Sequence, residues 1–190
     1  MVGPLEGFAD VWGSTFLRTV YGMDSATAAN LPSTIFIGMC VGGPLLSIIA
    51  RKSGNDIGVI FVCGLVMMFT FAGLLMSFFD ASLLPFVFFI VGIACGYQII
   101  AIAYASTRVP EAQMGLTSAL ANMIIMTFGY VFHAVIGGVI GYFSDGEIDI
   151  EAVSSDALTL GIAVIPAALA LSAMGFFIMA IRRRDSSHAI

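Results

Sequence analysis

The sequence predicts an all-α integral membrane protein with six transmembrane helices, and three observations carry that expectation. Of 190 residues, 59% are hydrophobic and only 10% are charged, against about 25% charged in an ordinary soluble domain. The mean hydropathy is +1.05, more apolar surface than a water-soluble globule of this length can hide. Apolar runs of about 20 residues recur along the chain, the length that crosses hydrocarbon as a helix, and too long for the alternating strands of a barrel. The same composition excludes intrinsic disorder, which needs low hydrophobicity and high charge. A net charge of −5 with no basic patch excludes a nucleic-acid binder.

The expected spans follow in order. The first covers about 1–22 and is the weakest, because Glu6, Asp10 and Arg18 fall inside it. The second covers 30–50, the third 57–79 and the fourth 83–107. The fifth covers 115–143, and the sixth 157–181, kinked at Pro166. Helices are required because every backbone polar group must be satisfied inside the lipid. The separators are polar: MDSATAA, RKSGND, DAS, RVPEAQ and SDGEIDIEAVSSD. Residues 1–184 thus form one bundle and 185–190 a tail.

Orientation follows from the basic residues. Arg51 and Lys52, Arg108, and Arg182 to Arg184 fall on one side of a six-span chain, and they are six of the seven Lys and Arg. That side is expected to be cytoplasmic, which gives an N-in, C-in topology with a cytoplasmic tail. The opposite loops hold Asp24, Asp80, Asp145, Glu147, Asp149, Glu151 and Asp156. Met1 to Pro4 lacks the basic start of a signal peptide. Cys40, Cys63 and Cys95 lie in apolar runs and read as small buried hydrophobes. No Cys/His spacing indicates a metal or a cofactor.

Local sequence then suggests a family. PLEGFADVWGSTFLRTVYG, with an acid ahead of a Trp-Gly pair, is similar to the seventh helix of some bacterial major facilitator superfamily transporters. FIGMCVGGPLLSIIARKSGND resembles the eighth helix and the loop signature GGPLxGxLSDRxGRR. Gly42, Gly43, Pro44, Leu45 and Gly54 fit, and Lys52 stands for the first Arg of the pattern. Arg51 replaces its Asp, and Asn55-Asp56 replace its Arg-Arg, so the charges remain with their signs exchanged. PEAQMGLTSALANMIIMTFGYVFHAVIGGVIGYFSD looks like the eleventh helix.

The resemblance implies the C-terminal half, helices seven to twelve, of a secondary active transporter in a bacterial inner membrane. It implies a small-molecule solute and protons as ligands, and an N-terminal six-helix half as partner. The chain then reads as a C-terminal fragment or split-gene product, unable to transport alone, because alternating access needs two halves rocking about a central site. By resemblance, Gly43, Arg51, Lys52, Gly54 and Asp56 form a cytoplasmic gating loop, in which Arg51 and Asp56 make an exchanged ion pair.

Candidate site residues come from polar groups in apolar spans, which are costly and tend to be functional. Glu6 and Asp10, four apart, share a helix face that continues through Gly13 and Leu17 to Tyr21. They are candidates for reversible protonation, since neighbouring carboxylates raise one another's affinity for protons. Arg18 is a candidate anion partner or a headgroup anchor. Tyr97, Tyr104 and Arg108 make a stripe on the fourth span, with Gln98 beside it, read as a cavity wall. Ser118, Asn122, Met126, Gly129 and His133 make another on the fifth. Gly38/Gly42, Gly92/Gly96 and Gly137/Gly141 read as close-packing pairs. An enzyme is not expected: no GxSG turn or HExxH occurs. The alternative reading is a non-transporting six-helix subunit that pairs with another membrane protein.

Overall fold

A computed structural model describes residues 1–144 and 153–187, with side chains through residue 179. The described residues are helices and short turns. Among the described residues, five helices are long and apolar enough to cross a membrane: Ser25–Ser53, Asp56–Leu75, Ala81–Ser106, Glu111–Phe143 and Ser155–Met179. The expected first span is not among them. It is helical from α1 (Val2–Gly7) through a π-helical turn (Phe8–Trp12) to α2 (Gly13–Tyr21). Its three ionisable side chains set it apart from the other five.

This least apolar segment is nonetheless central. Val2, Leu5, Phe8, Trp12, Phe16 and Leu17 are all buried. Phe8 meets Phe71 and Phe88 edge-on, with ring centroids 5.1 and 5.8 Å away, so one aromatic group joins the first, third and fourth segments. At the far end the Tyr21 hydroxyl donates to the Leu74 carbonyl at 2.9 Å.

The remaining helices depart from the sequence reading at their ends. Gly22, in the left-handed region at φ 64°, stops α2. Asp24 then caps α3 (Ser25–Asn30), its Oδ1 accepting from Ala26 N at 3.1 Å and Thr27 N at 3.0 Å. Most of the expected MDSATAA loop is therefore helix, running through a 3-10 turn into α4 (Thr34–Ser53). The third span, α5 (Asp56–Leu75), ends earlier than expected, where Ser77 takes φ 51° and Phe78 N donates to Gly73 O. The fourth breaks at Gly96 into α6 (Leu84–Cys95) and α7 (Tyr97–Ser106). Pro110 caps α8 (Glu111–Phe143), which begins inside the expected RVPEAQ separator. Helix α9 (Ser155–Ser187) carries Pro166 and continues past 181 into the expected tail. Asp145, Glu147, Asp149 and Glu151 lie outside the described residues.

The most extensive contacts join α4 with α6, α5 with α9, and α1 with α8. In terms of segments these are second with fourth, third with sixth, and first with fifth. Exchanging the first three segments with the last three maps this set onto itself. The two outer pairings also share a device. Gly38 and Gly42 face Gly92, Ile93 and Gly96, and a Cβ on any of the four glycines would strike backbone across the crossing. Gly3 faces Phe128 and Gly129, and Gly7 faces Gly129 and His133, again backbone to backbone. Small residues at such crossings let helix axes approach closely. In both pairings the helix irregularity follows the second glycine: the π turn after Gly7, and the break at Gly96.

Candidate functional site

The π turn decides which residues meet. Gly13 N donates to Phe8 O, the i→i+5 bond that defines the turn. At Gly13 a Cβ would lie 2.8 Å from Phe8 O and 3.0 Å from the Pro32 ring, so glycine is what the turn accommodates. The wider turn rotates everything after it. Glu6 and Asp10 still share a side, but the expected continuation through Gly13 and Leu17 fails, because both are buried. The open side passes instead to Asp10 and Val11.

Glu6, Asp10 and His133 line one cavity of about 280 Å³, together with Gly7, Val11, Phe36, Met126, Gly129 and Tyr130. Glu6 and His133 are half-buried, and Asp10 is exposed. The Glu6 carboxylate rests against the helix opposite: a Cβ on Gly129 would be 3.0 Å from Glu6 Oε2. Trp12 fixes the back wall. Its indole Nε1 donates to the His133 carbonyl at 3.4 Å, and its ring centroid lies 5.7 Å from the imidazole. His133 Nδ1 is buried with no hydrogen-bond partner among the described residues. Among the described side chains, no Lys or Arg lines the cavity. Among the described residues, no group of three His, Cys, Asp or Glu is placed to hold a metal ion.

Other candidates lie elsewhere. Arg18 is exposed and lines a separate hollow near the α2–α3 turn with Thr15, Thr19 and Asp24. Tyr97 is a core residue, 6% exposed, at the start of α7 just after the break at Gly96. Gln98 Nε2 donates to Met39 Sδ at 3.2 Å, tying the fourth segment to the second. Tyr104 is covered by Arg108, whose guanidinium carbon sits 3.2 Å from the ring centroid and whose Nη1 donates to Tyr104 O at 2.9 Å. The expected fifth-span stripe divides. Met126, Gly129 and His133 reach the cavity, Asn122 is exposed, and Ser118 Oγ bonds Ser106 Oγ at 2.7 Å.

The loop from Arg51 to Asp56 has a simpler explanation for its exchanged signs. Arg51 and Lys52 occupy the last turn of α4, and Asp56 the first turn of α5. Cations at a helix C-terminus and anions at an N-terminus complement the helix dipoles. Gly54, at φ 62°, closes α4 through its N–H to Ala50 O at 2.9 Å, and Asn55 Oδ1 accepts from Gly58 N at 3.0 Å. Gly43 lies away from this loop, packed against Ile99.

Tyr130 and Phe36 also line the cavity; the sequence signals Tyr130, since Met126, Tyr130 and His133 repeat at helical spacing, but carries no such signal for Phe36. Gly3 and Gly7 have the same spacing as Gly92 and Gly96. Against known protein families, curated proteins and solved structures, the chain shows no match.

Proposed function

We propose that the chain is one six-helix half of a secondary active transporter of the major facilitator type, and that the cavity beside Glu6 and Asp10 is its share of the solute and proton site. One observation carries this reading: two carboxylates and a histidine from different segments meet in a single cavity, in helices otherwise almost free of charge. Ionisable groups in that setting mark substrate and proton paths. The exchange symmetry of the segment pairings supports it, since three-plus-three repeats are the building plan of such halves.

The partner half would cover the side on which α8 is open. Leu120, Met123, Ile124 and Tyr130 are exposed there. The first segment completes the six spans, with both ends of the chain cytoplasmic. The alternative, a non-transporting subunit, needs the open face but gives no use for the acids.

The test is reconstitution into liposomes with and without a six-helix partner half, under an imposed proton gradient, with an internal pH dye. The reading expects solute-dependent proton movement only with the partner, abolished by Asp10→Asn. Proton movement unchanged in Asp10→Asn would contradict it. For topology, a reporter after Ile190 should read cytoplasmic and one at Glu147 external.

A further inference from the structure

We infer that the cavity between the first and fifth segments selects a cationic solute, an aromatic or aliphatic amine in its protonated form. The inference rests on the transporter reading and adds the class of ligand. Its basis is the complete set of lining groups. Two carboxylates, Glu6 and Asp10, enter from one helix, and among the described side chains no Lys or Arg lines the cavity with them. Asp10 is open to the cavity, whereas Glu6 is half-buried against Gly129. One acid is therefore placed to receive an incoming charge and the other is held at the wall.

The remaining lining suits the same ligand. Phe36 from α4 and Tyr130 from α8 add aromatic rings to the lining, and ring faces attract ammonium groups. Met126, Val11 and Gly7 supply apolar surface for a hydrocarbon body. His133 adds an imidazole to the lining. An anionic solute would face two carboxylates, a like-charge contact that penalises the wrong ligand. Arg18, the one basic residue of the first segment, opens on a different hollow.

The test uses the full chain in lipid nanodiscs and two probes of matched size and opposite charge, phenethylammonium and 3-phenylpropionate, measured by equilibrium dialysis against empty nanodiscs. The expected result is retention of the cation over the anion by about tenfold. Glu6→Gln with Asp10→Asn should remove the preference, and Arg18→Gln should leave it intact. Asp10 is exposed, so Asp10→Asn alone keeps the fold and should by itself weaken cation binding several-fold. Equal retention of both probes, preference for the anion, or a preference that survives the double substitution would overturn the inference. Such failure is distinct from failure of the transporter reading, which is decided by partner-dependent proton movement and not by binding to the chain alone.

Discussion

The crossing of the second and fourth segments and the crossing of the first and fifth are built alike but enclose different things. Both run parallel, and both place glycines at the point of closest approach. In the first, Gly38, Gly42, Gly92 and Gly96 come from both helices, so backbone meets backbone and no space remains. In the second, Gly3 and Gly7 meet the backbone of Phe128, Gly129 and His133. Beside that contact a cavity opens, lined by Glu6 and Asp10. The second and fourth segments pair as a seal. The first and fifth also border a cavity.

The largest expected effect breaks the seal. In Gly92→Ala the new Cβ meets the Ile35 carbonyl and Gly38 Cα, neither of which can swing aside. Overpacking of this kind costs about 3 kcal/mol, read as a lowered midpoint of thermal unfolding in detergent. Unchanged stability would mean the second and fourth segments slide freely. The same substitution at the cavity should behave differently. In Gly129→Ala the nearest atom is the end of the Glu6 side chain, which can move. Stability should stay within about 1 kcal/mol of wild type, since alanine also favours the helix, while cation binding falls. A loss of stability as large as that of Gly92→Ala would show that the two crossings are equally tight.

A smaller effect concerns the polar tie between the fourth and fifth segments. Ser118→Ala removes the bond to Ser106 Oγ, which also donates to Ile102 O at 2.8 Å. Interhelical bonds in membranes average about 0.6 kcal/mol, and a double-mutant cycle with Ser106→Ala should return a coupling of that order. The smallest lies outside the bundle. Hydrogen bonds from the Thr27 side chain and backbone hold the Asp24 carboxyl below its ordinary value. A lowered folded pKa gives stability that is present above the unfolded value and lost as pH falls through the folded one. Acid should therefore loosen the α3 cap, and Asp24→Asn should flatten stability against pH in the acid range. An unaltered acid limb would mean the cap adds nothing.

Much of the bundle is legible in composition and run length, because crossing lipid imposes a length and an apolar surface. Helix ends are less so. The MDSATAA and RVPEAQ segments are polar enough to read as loops, yet Asp24 and Pro110 start helices within them. The acids and His133 stand out because charge is rare here. Their meeting depends on which segments cross, and spacing along one helix does not encode that. The π turn is the sharpest case. Counting three and seven residues on from Asp10 leads to Gly13 and Leu17, but one extra residue in the turn sends that face into the core. Tyr97 likewise follows a break, at Gly96, and is buried.

The central claim is that the first and fifth segments border a water-accessible cavity while the second and fourth are sealed. The direct measurement is the reaction rate of single cysteines with a membrane-impermeant maleimide in intact membranes, in a background lacking Cys40, Cys63 and Cys95. Val11→Cys and Tyr130→Cys line the cavity, whereas Val91→Cys lies buried on the fourth segment. The account predicts that the first two react readily, that protonated amine slows them, and that Val91→Cys stays unreactive. If Val11→Cys and Tyr130→Cys react no faster than Val91→Cys, that surface meets lipid or protein, and the cavity is not a solute site.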